Sequence, residues 1–201
     1  MNYSYLALGD SYTIGEQVQL ADNFPYQTLQ LLRKGGMRFY APEIVATTGW
    51  TTDELNSAIG KSFLLEKYDI VSLLIGVNNQ YRGRSTGDFI IEFEHLLQLS
   101  IQFAGNQAGH VFVLSIPDWG ITPFADGRDR KKISEEIDAY NRICESSSKK
   151  FYTNYIDITE SQRIDGASPE YIAADGLHPS AKEYSKWALK LAESVKTNFA
   201  P

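Results

Sequence analysis

The chain has 201 residues, 43% hydrophobic and 22% charged, the proportions of a globular protein with one sizeable core. Its formal net charge of −6 excludes the basic surface that nucleic acid or an anionic membrane demands, and no apolar run reaches membrane-spanning length. A single cysteine, Cys144, rules out an internal disulfide framework.

Met1 is followed at once by polar Asn2 and a strand-like pattern, with no leader-like segment, so a cytoplasmic setting is expected. Residues 1–201 are expected to form one domain, and without a heptad or long apolar face a monomer is favoured.

In chain order, a first strand at 3–8 (YSYLAL) stops abruptly at Gly9, Asp10 and Ser11. A helix at 24–34 leads to a strand at 43–47 (EIVAT), followed by TTGWTT with Gly49. A helix at 52–66 leads to a strand at 69–75 (DIVSLLI) and then to GVNNQYRG, which carries Asn78 and Asn79. A helix at 87–104, a strand at 110–116 (HVFVLSI) and the loop PDWGITPFADGRD come next. The helix at 130–149 holds Cys144 as a buried small hydrophobe, and its start, RDRKK at 128–132, reads as solvated and in need of no ligand. A last strand at 154–158 (NYIDI) runs into a long loop ending in Asp175-Gly-Leu-His178. In the final helix, 181–197, Ser180 and Glu183 have capping-box spacing, and Tyr184, Trp187, Ala188, Leu191 and Val195 mark one buried face.

Strict alternation of strand and helix implies a parallel sheet covered on both faces, a three-layer α/β/α sandwich of about five strands. Ligands of such sheets bind beyond the carboxyl ends of the strands. Ser11, Gly49, Asn78 and the Asp175–His178 pair therefore face one rim. Their types suit acyl transfer: a serine hydroxyl needs an imidazole to take its proton, and the imidazole needs a carboxylate to fix its tautomer. The backbone N–H groups of Ser11 and Gly49 and the Asn78 amide are candidate oxyanion donors. Each residue also has a plainer reading: a turn serine, a turn glycine, an Asx turn at Asn78 and a helix-starting histidine. Asp10 is expected to hydrogen-bond loop backbone and hold Ser11 in place. His95 and His110 read as surface or structural, and no histidine has metal-ligand spacing, so neither metal nor cofactor is expected. Tyr12, Trp50, Asn79, Tyr81, Trp119 and Phe124 are the candidates for lining a substrate pocket.

GDSYT, TTGWTT, GVNNQYRG and DGLHPS, in that order, resemble the four sequence blocks of the GDSL, or SGNH, serine hydrolases. The resemblance spans nearly the whole chain. It implies a flavodoxin-like SGNH hydrolase fold and an esterase or acylhydrolase without a cofactor. By the same resemblance Ser11 is the nucleophile, Gly49 and Asn78 belong to the oxyanion hole, His178 is the base and Asp175 its partner. The sequence departs from the family at Asn79, where aspartate is usual beside the oxyanion hole. The expected substrates are small-molecule carboxylic esters, short-chain or carbohydrate O-acyl. Lysophospholipase or thioesterase activity is an alternative. So is a non-catalytic or mononucleotide-binding flavodoxin-like module, for which SYTIG would be the phosphate loop.

Overall fold

Runs of β-branched and apolar residues too short for helices form the strands of a computed structural model that describes residues 2–199. They are β1 (Tyr5–Gly9), β2 (Glu43–Ala46), β3 (Ile70–Leu74), β4 (Val111–Leu114) and β5 (Asn154–Ile156). All pair in parallel, in the order β2-β1-β3-β4-β5, with Gly9 level with Ala46 on one side and Leu74 on the other. Every residue of β1, β3 and β4 is buried, whereas edge strands β2 and β5 are only partly so. That gradient is what a parallel sheet covered on both faces produces.

The α-helices are α1 (Ser11–Ile14), α2 (Phe24–Lys34), α3 (Thr52–Ile59), α4 (Val77–Tyr81), α5 (Thr86–Phe103), α6 (Arg130–Lys150), α7 (Thr159–Asp165) and α8 (Ala181–Asn198). Helices α2 and α8 pack together in one covering layer; α3, α5 and α6 make up the other. The expected face of α8 is buried, with Trp187 against Tyr184 and Phe24. Cys144 is buried in α6, His95 is exposed, and His110 packs edge-on against Phe199. None of the helices is long and apolar enough to cross a membrane.

The structure corrects three local expectations. The helix predicted over 52–66 stops at Ile59, because Gly60 and the turn bonds Lys61 N–H to Ala58 O and Ser62 N–H to Ile59 O close it; Phe63 beyond is fully exposed. The Ser180–Glu183 capping box does not form. Ser180 Oγ donates instead to the Glu170 carbonyl, while Glu183 Oε1 accepts from Trp187 Nε1 at 2.9 Å. The long segment after β5, expected to be loop, contains α7.

Candidate active site

The strand-ending Gly9-Asp10-Ser11 has a separate physical reason at each position. A Cβ on Gly9 would lie 2.1 Å from Thr13 Oγ1 and 2.4 Å from the Leu74 carbonyl, so only glycine lets β1 turn beside β3. Asp10 caps α1 as expected, its Oδ1 accepting from Tyr12 N–H at 3.0 Å. Ser11 is thereby fixed in the first turn of a four-residue helix, buried at the sheet rim. Asp10 is wholly buried and its second oxygen has no partner among the described residues; burial pushes its pKa up to about 7, against the backbone N–H donors that lower it. Its carboxyl sits at the α1 N-terminus and takes the Tyr12 N–H, the place a bound phosphate would need, so the loop is a poor phosphate cradle.

His178 reaches Ser11 from the far end of the sequence. Its Nε2 lies 3.0 Å from Ser11 Oγ, and its Nδ1 lies 2.6 Å from Asp175 Oδ2. The other Asp175 oxygen accepts the backbone N–H groups of Leu177 and His178, both at 3.0 Å. Partial burial acts to raise the Asp175 pKa, but the imidazole and these two N–H donors outweigh it and hold the carboxyl below the usual range. An ionised carboxylate there favours the tautomer with the proton on Nδ1, which leaves Nε2 free to accept from the serine. Tyr12 packs against the imidazole, ring centroids 5.4 Å apart.

The candidate oxyanion donors arrive from β1, β2 and β3. Among the described residues, neither the Ser11 nor the Gly49 backbone N–H has a backbone acceptor. Gly49 has φ +85° and a Cβ there would meet only Arg82 Nη2 at an ordinary 3.8 Å, so its backbone angle, and not crowding, calls for glycine. Asn78 donates one amide hydrogen to the Trp50 carbonyl at 2.9 Å, tying the loop after β3 to the loop after β2 and keeping a second hydrogen for another acceptor. Asn79 is wholly buried, accepting from Thr52 N–H at 3.1 Å and donating to Thr52 Oγ1 at 2.6 Å. Thr52 Oγ1 in turn donates to Glu92. An amide can both accept and donate toward Thr52, and the negative charge near this pair sits on Glu92.

A cavity of about 180 Å³ opens over Ser11 and His178, lined also by Tyr12, Val77, Asn78, Tyr81, Trp119, Phe124 and Leu177. Of the six pocket candidates, Tyr12, Tyr81, Trp119 and Phe124 border this cavity, whereas Trp50 is half-buried against the core and Asn79 is committed to Thr52. Val77 and Leu177 lie inside quoted motifs but were not singled out, since an apolar neighbour of a catalytic residue carries no chemical signal of its own. Trp119 is held from two sides: its Nε1 donates to Gln80 Oε1 at 2.7 Å, and the preceding Asp118 caps its turn through Gly120 N–H while pairing with Arg163 at 2.8 Å. Arg128, from the run read as a solvated helix start, instead lies over the rings of Tyr81, Trp119 and Phe124. A larger groove of about 550 Å³, lined by Asp138, Asn141, Tyr155, Asp157 and Arg163 among others, runs along edge strand β5. Its lining includes no serine, cysteine or histidine, and its Arg163 is already paired with Asp118 and Asp138. No group of three or more metal-ligating side chains is found among the described residues.

The profile of the GDSL-like lipase/acylhydrolase family matches residues 7–186. No curated protein matches the sequence. The solved lipase/acylhydrolase from Enterococcus faecalis is similar with a TM-score of 0.73 at 20% identity, over 99% of this chain and 98% of that one. An acetylxylan esterase from Geobacillus stearothermophilus gives 0.70 at 16% identity, over 99% and 96%. The psychrotrophic esterase EstA from Pseudoalteromonas sp. gives 0.70 at 14%, over 97% of each chain. At such identities these likenesses establish a common fold, the five-stranded α/β architecture of the SGNH hydrolases.

Proposed function

The chain belongs to the GDSL-like lipase/acylhydrolase family, and from that premise we propose that it cleaves short-chain or carbohydrate O-acyl esters through an acyl-enzyme on Ser11. That it is a carboxylic ester hydrolase follows from the family; the residue roles and the substrate class are our reading. The observation that carries it is the chain of contacts from Asp175 to His178 to Ser11, at 2.6 and 3.0 Å, at the mouth of a small apolar cavity.

In this mechanism Ser11 Oγ passes its proton to His178 Nε2 as it bonds to the ester carbonyl carbon. The negative charge moves to the carbonyl oxygen, where the N–H groups of Ser11 and Gly49 and the free Asn78 amide hydrogen receive it. Collapse breaks the carbon–alkoxide bond, and the leaving oxygen takes the proton from His178. A water then gives a proton to Nε2 and attacks the acyl carbon; the Ser11 ester bond breaks and the proton returns to Oγ. Asp175 stays ionised throughout and stabilises the charged imidazole.

The cavity, about 180 Å³, falls below the roughly 300–1,000 Å³ of pockets that enclose drug-sized ligands, which favours a short acyl group over a fatty chain. The fold likeness to an acetylxylan esterase points the same way. A series of p-nitrophenyl esters from acetate to palmitate tests the reading: kcat/KM is expected to peak at two to four carbons. Ser11→Ala is expected to lose a thousandfold or more in kcat, on the order of the loss when a serine nucleophile is removed, together with labelling by a fluorophosphonate. Undiminished turnover in that variant would remove Ser11 from the chemistry; a maximum at palmitate would favour the lysophospholipase or thioesterase alternative.

A further inference from the structure

Beyond the catalytic cavity, the wall formed by Tyr81 and Trp119 has a second side. An adjoining cleft of about 340 Å³ is lined by these two rings together with Gln80, Arg128, Asp129, Lys132 and Glu136. The charges in that cleft are not equivalent. Asp129 caps α6 through Lys132 N–H at 3.0 Å, and Glu136 accepts from Gln80 Nε2 at 2.7 Å with Lys132 Nζ 3.8 Å away. Neighbouring cations are likewise engaged: Arg130 with Asp126 at 2.6 Å and Lys131 with Glu135 at 3.7 Å.

Arg128 differs from all of these. Its guanidinium carbon lies 5.2, 5.3 and 5.4 Å from the ring centroids of Tyr81, Trp119 and Phe124, it donates to the Tyr81 hydroxyl at 3.2 Å, and it has no ion pair among the described residues. Aromatic faces hold a guanidinium by cation–π attraction without using up its N–H donors, so most of the five remain for an acceptor that is not part of the protein. In a chain of net charge −6 this is an exposed cation that, among the described residues, forms no ion pair although Asp129 and Glu136 line the same cleft, and it is fixed beside the substrate cavity.

Resting on the proposed ester hydrolysis at Ser11, we infer that Arg128 is a specificity-determining residue that selects esters whose alcohol portion carries a carboxylate. The short acyl group fills the apolar cavity, and the alcohol passes over the half-exposed rings of Tyr81 and Phe124, which rim that cavity and touch Arg128. A planar carboxylate reaching this point is met by a planar fork of N–H donors, the geometry of bidentate recognition. Substrates of this class include O-acetyl esters of sugar acids and of acidic phenols.

The test compares 4-acetoxybenzoate with uncharged 4-acetoxybenzamide, which share an acetyl group and place a charged or neutral group on the same side of the ester. The quantity read is the ratio of their kcat/KM values in the wild type divided by that ratio in a variant, which cancels their intrinsic reactivity. Arg128→Gln is expected to lower the preference for the anion about tenfold, which is about 1.4 kcal/mol, mostly through KM. Arg128→Lys should retain part of it, and 0.5 M sodium chloride should erode it in the wild type but not in Arg128→Gln. If Arg128→Gln slows both esters equally, or leaves the ratio and its salt dependence unchanged, Arg128 is merely a brace for the aromatic wall and the inference is overturned. Failure of the catalytic reading looks different: neither ester would turn over and a fluorophosphonate would leave Ser11 unlabelled.

Discussion

Ser11 and His178 meet at 3.0 Å, yet the chain holds them there by opposite means. Ser11 leaves a strand with every residue buried and is flanked by Asp10, Tyr12 and Thr13, all buried too. His178 ends a segment, 167–177, in which no residue is buried. That segment is kept in shape by backbone bonds: Ala173 N–H to His178 O at 2.8 Å, Ser180 N–H to Tyr171 O at 2.9 Å, and Phe124 N–H to Gly176 O at 3.0 Å. Ser11 is held mainly by its buried surroundings, whereas His178, itself buried against Tyr12, sits on a segment held mainly by hydrogen bonds. Substitutions around Ser11 should therefore register first in stability, and those around His178 first in rate.

Asp175→Asn is the largest expected effect and the most direct way to break this contrast. An amide at 175 no longer secures the His178 tautomer or balances the imidazolium, so kcat should fall roughly a thousandfold or more. Because Asp175 sits in an exposed segment, the melting temperature should move by no more than a few degrees. Rate and thermal melts on the same preparation decide it. A large loss of stability with little loss of rate would mean that the loop, and not the triad, depends on this carboxylate.

Gly9→Ala probes the other side. The added Cβ would press on the Leu74 carbonyl at 2.4 Å, a backbone atom that cannot swing away, and on Thr13 Oγ1 at 2.1 Å. Overpacking of this kind costs about 1–3 kcal/mol and occasionally more; at roughly 2–4 °C per kcal/mol for a chain of this size, the melting temperature should drop by about 2–12 °C, with the backbone contact pushing it toward the upper end. Gly176→Ala in the loop of the base is its counterpart. There the contact is 3.3 Å to Pro123 Cβ, and the strain of φ +68° costs only about 1 kcal/mol. Equal losses from the two variants would erase the distinction between a packed and a bonded half of the site.

The same distinction separates what the sequence conveys from what it hides. The strand–helix alternation, and with it the parallel sheet, is legible because apolar periodicity records which face is buried. Ser11, Gly49, Asn78, Asp175 and His178 are legible because acyl transfer needs those types and the sheet topology puts strand ends together. Arg128 is not legible, since RDRKK looks like any charged helix start and only the folded loop sets its first residue over three rings. Ser180 and Glu183 mislead for a related reason. Their spacing is that of a cap, but the indole of Trp187 and the ammonium of Lys186 offer Glu183 partners that local sequence does not reveal. Asn79 gives no sign in the sequence of where it turns, and only the fold brings the loop after β2 to it, with Thr52 as its partner.

Asp10→Asn gives the smallest net effect at neutral pH and tests how the packed half treats a charge. Buried Asp10 has its pKa raised from 3.8 to about 7, so the folded protein keeps the proton over a range in which the unfolded chain has released it. The sign follows from linkage: below about pH 4 the group is protonated in both states and costs nothing, and as pH rises toward 7 the unfolded state gains progressively. Asparagine keeps an oxygen for Tyr12 N–H but cannot titrate. Among the described residues Asp10 Oδ2 has no partner, so the amide hydrogens placed there carry a cost that is the same at every pH and lowers the whole curve without changing its slope. From a deficit near pH 4, the stability of the variant relative to the wild type should climb by on the order of 4 kcal/mol by pH 7, leaving only a small net gain there, and then level off. Melts at half-unit pH intervals read the difference directly, because every other carboxylate titrates in both proteins and cancels. Parallel curves across that range would mean that Asp10 is ionised beside Ser11 in the folded protein, and that the packed half of the site admits enough solvent to carry the charge.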